Sequence, residues 1–200
     1  MSSLMEALAG QLSGDAVGQI SRQLGINEDQ ASQAISGALP MLFGALAKNS
    51  QSSDGLSALG GAIDRDHDGS VLDDLAGFLG NTRAQETTGG GILRHVLGGQ
   101  QNNVASSLGR ATGLDSGSAS QLLMMLAPLV LGAIGKQRRS GGLDNAGLAD
   151  LLGGEQRRVE RQAPNMGLLG SLLDRDGDGD MMDDVAKAGV GFLGSILSKR

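Results

Sequence analysis

The chain has no cysteine, no tryptophan and no tyrosine, and three phenylalanines are its whole aromatic content. Without cysteine there is no disulfide framework and no thiol chemistry, and the redox compartment leaves no mark on the sequence. With so few rings, interior volume has to come from Leu, Ile, Val, Met and Ala, which suits closely packed helices. Runs of β-branched or aromatic residues with a period of two are scarce, so strands are not expected. The expected fold class is all-α.

Long hydrophobic runs are missing too. The longest, Leu122 to Ile134, has 13 residues and contains Pro128 and Gly132, whereas a bilayer span needs ~20 apolar residues in succession. The N-terminal Met1-Ser2-Ser3-Leu4-Met5-Glu6 lacks the basic start and apolar stretch of a cleaved signal. These features predict a cytoplasmic protein that is not transmembrane, with Leu122 to Ile134 buried in the core or in a homo-oligomer seam.

Glycine, by contrast, is abundant at 34 of 200 residues, against an ordinary frequency of ~7%. Charge is distributed unevenly. The formal net charge is −6, and half of the 22 acidic residues fall in two short stretches. The first is Asp64-Arg65-Asp66-His67-Asp68-Gly69-Ser70-Val71-Leu72-Asp73-Asp74 and the second is Asp174-Arg175-Asp176-Gly177-Asp178-Gly179-Asp180-Met181-Met182-Asp183-Asp184. Both read D-R-D-x-D-G-x-x-x-D-D. Carboxylates at alternate positions followed by a glycine at the sixth suit a hard cation, because the side chains converge and the glycine turns the backbone.

An EF-hand closes its loop with a glutamate at the twelfth position, where this chain has Leu75 and Val185. The acids at the tenth and eleventh positions would close it earlier. The candidate calcium ligands are therefore Asp64, Asp66, Asp68, Asp73 and Asp74 in the first run, and Asp174, Asp176, Asp178, Asp180, Asp183 and Asp184 in the second. The alternative is a solvated acidic turn, with Ser70 and Asp180 as N-caps and Asp73 and Asp183 completing approximate capping boxes. The basic residues gather late, at Lys136, Arg138 and Arg139 and again at Arg157, Arg158 and Arg161. They read as a solvated face or linker in preference to an anion site.

The acidic run is one part of a longer repeat. A shift of 88 places Arg22 on Arg110, Gly25 on Gly113, Pro40 on Pro128, Gly44-Ala45 on Gly132-Ala133 and Lys48 on Lys136 without a gap. The expected architecture is two tandem multi-helix units, each ending in a helix, an acidic loop and a helix. The first unit covers 1–83 with its loop at 64–74, and 84–90 is a polar, glycine-containing linker. The second unit covers 91–200 with an Arg-rich insertion at 138–165 and its loop at 174–184. Gly25 and Gly113 should end helices, and Asn27 and Asp115 should start the next ones. Pro40 and Pro128 should kink or break those next helices, leaving a buried two-helix hairpin in each unit.

The segments Gly91-Ile92-Leu93-Arg94-His95-Val96-Leu97-Gly98-Gly99, Gly113-Leu114 and Leu126-Ala127-Pro128-Leu129-Val130-Leu131-Gly132 resemble the bacterial domain of unknown function 937 family, related to the YidB-like proteins. The resemblance implies a small all-helical bacterial protein without an assigned activity, and it carries no catalytic residues over. The residues themselves name none either. There is no phosphate-cradling glycine loop, and the two histidines stand apart, His67 in the acidic run and His95 on an expected helix. A non-enzymatic interaction or scaffold protein, with a divalent cation and a protein partner or second copy, is the expected function. The alternative is nucleic-acid binding, since Ile20 to Ile35 has helix-turn-helix spacing with Gly25 at the turn. The second helix opens on Glu28 and Asp29, however, and has no Lys or Arg before Lys48. That is the wrong sign for phosphates, so nucleic acid is not the favoured partner.

Overall fold

A computed structural model describes residues 3–66 and 69–162. The chain divides into two compact units, residues 1–156 and 157–200. Among the described residues the elements are helices and turns, with no strand: α1 (Leu4–Gln11), α2 (Asp15–Leu24), α3 (Glu28–Asn49), α4 (Ser53–Asp66), α5 (Leu75–Leu79), α6 (Thr82–Ala84), α7 (Gly90–Leu97), α8 (Gln101–Thr112), α9 (Ser116–Gly141) and α10 (Asn145–Gln162). A 3-10 turn (Ser70–Leu72) precedes α5, and a π-helical turn (Gln85–Gly89) joins α6 to α7.

The first unit is built around α9, which packs against α1, α2, α3, α4, α7 and α8. A helix surrounded in this way must be apolar on every side. From Leu122 to Ile134 every residue except Met124 is buried. This 26-residue helix is long and apolar enough to cross a membrane by length and composition, and 72% of its apolar window is buried inside the protein. The buried residues of α3, including Leu39, Leu42, Phe43 and Leu46, join the same core.

Local signals place the helix ends. Ser3 and Glu6 form a reciprocal capping box at 3.0 Å in each direction, which satisfies two backbone donors that an α-helix leaves open. Gly25 and Gly113 close α2 and α8 in the left-handed conformation at φ 67° and 74°, which glycine adopts without a Cβ clash. Two residues later Asn27 and Asp115 cap α3 and α9 with nearly identical torsions, φ −77° and ψ 163° against φ −69° and ψ 160°. Further along, Ser52 Oγ accepts from Gly55 N at 3.1 Å, and Asp144 Oδ1 accepts from Gly147 N at 2.9 Å. The N-caps of α3 and α4 thus have counterparts at α9 and α10, whereas α1 has a capping box that α7 lacks.

Several expectations are corrected. Pro40 and Pro128 do not break their segments, since α3 and α9 each run through the proline. A proline inside a helix deprives the carbonyl four residues earlier of its donor. For Pro40 that carbonyl belongs to Ser36, an exposed residue. For Pro128 it belongs to Met124, and Gly89 lies so close that a Cβ there would stand 1.9 Å from the Met124 oxygen. The stretch 84–90 is helical, not an irregular linker, and buries Gln85 and Gly89. The Arg-rich residues up to Arg161 are also helical, forming the end of α10.

Candidate functional site

The first acidic run is not a single loop. Asp64 and Asp66 sit in the last turn of α4, and positions two apart on a helix point to different sides. Asp64 Oδ1 pairs with Arg138 Nη1 at 3.3 Å, and Asp73 Oδ1 pairs with Lys136 Nζ at 3.4 Å. Asp74, not Ser70, is the N-cap of α5 and accepts from Gly77 N at 3.0 Å. Asp66 borders a groove of about 560 Å3 between α4 and α7, beside Arg65 and His95. Among the described residues no group of three or more acidic, histidine or cysteine side chains is gathered to hold a metal ion. Asp68, and Asp174, Asp176, Asp178, Asp180, Asp183 and Asp184 of the second run, lie outside the described residues, as does His67.

Lys136 and Arg138, read from the sequence as part of a solvated basic face, instead meet the first acidic run across the fold. Arg138 is the more deeply involved, with its side chain only 13% exposed. Its Nη1 donates to Gly60 O at 3.0 Å, its Nε to Leu143 O at 3.0 Å and its Nη2 to Asn145 Oδ1 at 3.1 Å. The planar fork of a guanidinium can serve these diverging acceptors together, which an ammonium cannot do. Arg138 therefore ties the end of α9 to α4 and to the start of α10. The only sequence sign of this was a basic cluster and an acidic one of similar size, with no indication that they meet.

The 3-10 turn lies directly on α9. A Cβ at Gly132 would stand 2.6 Å from Val71 Cγ1, and one at Gly69 would stand 2.9 Å from Lys136 Cβ. Both glycines are required by this approach, and Gly69 also has φ +98°, a conformation L-residues seldom adopt. Val71 and Leu72 add apolar contact to the core edge. The acidic run thus seats two apolar side chains on α9 and pairs Asp73 with the lysine one turn further along.

Several buried polar side chains bond to backbone at helix ends, while among the described residues Gln23 Oε1, Asn49 Oδ1 and Gln85 Oε1 are buried without a hydrogen-bond partner. Glu155, the one charged residue among the buried polar side chains at 5% exposure, accepts from Leu4 N and Met5 N at 3.3 Å each. These are open donors of the first turn of α1, where the helix dipole also favours a carboxylate. Gln85 Nε2 donates to Leu79 O at 2.8 Å and Phe78 O at 3.2 Å, closing the end of α5. Nothing in the sequence singled out Glu155 or Gln85, because each contact joins elements distant in the chain or lies within a stretch without pattern. Asp115 accepts from Gly117 N, Ser118 N and Ser118 Oγ at 2.9, 3.0 and 2.6 Å. The Ser118 hydroxyl and these amides hold its carboxyl below the usual carboxylate range.

The helix-turn-helix spacing of Ile20 to Ile35 corresponds to α2, a Gly25 turn and α3. Ile20, Ser21 and Leu24 on α2 and Ala31, Ala34 and Ile35 on α3 are buried, and the first turn of α3 carries Glu28 and Asp29. That end presents negative charge.

Fold and side chains together define an all-helical protein whose first unit is assembled on one central apolar helix. The chain belongs to the bacterial family DUF937, described as bacterial protein of unknown function, whose model matches residues 6–137. No curated protein and no solved structure matches it.

Proposed function

We propose that this chain is a non-catalytic, calcium-responsive helical interaction module of the bacterial cytoplasm, made of two related units and akin to the YidB-like proteins. The observation that carries the calcium reading is the doubled D-R-D-x-D-G-x-x-x-D-D run, since alternating carboxylates closed by glycine are a cation pattern. In the first run Asp64, Asp73 and Asp74 already have partners, so an ion there would have to displace Arg138 and Lys136. The second run, with one more carboxylate at Asp180, is accordingly the stronger site. A divalent ion would relieve repulsion among its acids as well as gain oxygen ligands. The non-catalytic reading draws its support from the commitment of Glu155, Gln85, Arg138 and Asp115 to helix ends.

The test is a melting curve of the full chain in calcium, with magnesium as control. Ligand at about a hundred times its dissociation constant adds roughly 2.7 kcal/mol per site, which raises melting by several degrees. The D174N/D178N variant should lose most of that rise, and D64N/D66N should keep it. Equal curves in calcium and magnesium would overturn the calcium reading.

A further inference from the structure

On α9 the 3-10 turn within the first acidic run lies over Gly132 and Lys136, on a face that also carries Leu129 and Ala133. Val71 reaches Gly132, Leu72 lies beside it, Gly69 rests against Lys136, and Asp73 pairs with the Lys136 ammonium at 3.4 Å. Leu129, Gly132 and Ala133 are buried.

The face 88 residues earlier, on α3, has nearly the same composition: Met41, Gly44, Ala45 and Lys48. Its surroundings differ. Among the described residues a Cβ at Gly44 would meet nothing within 4 Å; Met41, Gly44 and Ala45 are all partly exposed, and Lys48 is exposed. Both faces belong to long helices that share a cap position, a proline and a glycine one turn beyond it. The covered face shows what such a surface accepts: a glycine that permits backbone approach, two apolar side chains over the helix glycine, and a carboxylate on the lysine.

We propose that the Met41, Gly44, Ala45 and Lys48 face of α3 is a docking surface for a partner protein segment of the type Gly-x-apolar-apolar-Asp. The glycine at position 44 leaves room for the partner's first apolar side chain, as Gly132 does for Val71. Lys48 supplies the charge that selects an acid two residues further on, as Lys136 does for Asp73. Charge pairing of this kind sets the register of the bound segment, and the apolar pair supplies the burial. The inference deepens the interaction-module reading and does not depend on calcium.

The experiment is a titration of the full chain, in chelator, with a fluorescent synthetic peptide of the sequence of residues 68–74. Binding is read by anisotropy and mapped by backbone amide shifts. It is repeated in an M181S/M182S background, so that the second sequence of this type in the chain does not compete with the peptide. Saturable binding with shifts centred on residues 41–48 is expected. Lys48→Glu should weaken it by about tenfold or more, and Gly44→Leu, a residue with open space around it and a better helix former, should abolish it. A peptide with serines in place of its Val and Leu should not bind. Absence of saturation at millimolar peptide, or binding unchanged in both Lys48→Glu and Gly44→Leu with helical circular dichroism intact, would overturn the proposal. Because chelator is present throughout, failure here leaves the calcium reading to its own test.

Discussion

Single side chains cap many of the described helices, and their protonation and shape are open to measurement. Asp115 caps α9 through two amides and the Ser118 hydroxyl, so its folded carboxyl titrates below its unfolded value. A depressed carboxylate contributes stability that is present above the unfolded pKa of ~3.9 and is lost as pH falls through the lower folded value. Carbon-detected NMR of the Asp115 carboxyl should place its midpoint below the ordinary aspartate value of ~3.9, and Asp115→Asn should remove this part of the acid limb of the stability curve. Arg138 calls for a different measurement, because it is mostly shielded and bonded to two backbone oxygens and an amide side chain. Arg138→Ala should cost ~2–3 kcal/mol in urea unfolding. Arg138→Lys should recover little of it, since the fork and not the charge meets the acceptors. Full recovery by lysine would show that the charge facing Asp64 is what counts.

Among the elements, α3 and α9 pose the same question twice, because each holds a proline inside an unbroken helix. An interior proline costs ~3 kcal/mol relative to alanine, and the surroundings of the ring decide how much a substitution recovers. Pro40 is only partly buried and the carbonyl it frees belongs to an exposed residue. Pro40→Ala should therefore stabilise the protein by ~1–3 kcal/mol. Pro128 is buried, so Pro128→Ala also opens a small cavity and should gain less or even destabilise. Comparing the two denaturant midpoints tests this difference, which is refuted if the variants shift alike. The glycine stops and the Asn27 and Asp115 caps were legible in the sequence, because they depend on a few neighbouring residues. The continuity of the helices through proline was not, because it rests on where the freed carbonyl lies: on an exposed residue for Ser36, against Gly89 for Met124.

For the molecule as a whole, stability is concentrated in α9. Leu126 is fully buried in the middle of that helix, among neighbours from α3 and the other helices packed on it. Leu126→Ala should cost ~2–5 kcal/mol, by lost burial and the cavity left behind. A cost under ~1 kcal/mol in chemical denaturation would mean that α9 is not the centre of the core. The all-helical class was readable from what the chain lacks, since without aromatics or alternating β-branched runs there is little to build a sheet. The burial of Leu122 to Ile134 in the first unit follows from its apolar composition, although α9 as a whole is also long and apolar enough to cross a membrane.

The amino-acid sequence determined the helical class, the caps, the glycine stops and the spacing of the two acidic runs, because each depends on the local chain or on composition. Only the tertiary structure decided what the acids of the first run do. Among the described residues of that run, Asp64 and Asp66 continue α4, Asp74 caps α5, and Asp73 meets Lys136. The reason is a competition between partners. A carboxylate takes whichever donor the fold brings within reach, and packing of the 3-10 turn on Gly132 brings Lys136, 63 residues away in the chain, closer than any alternating pattern could foretell.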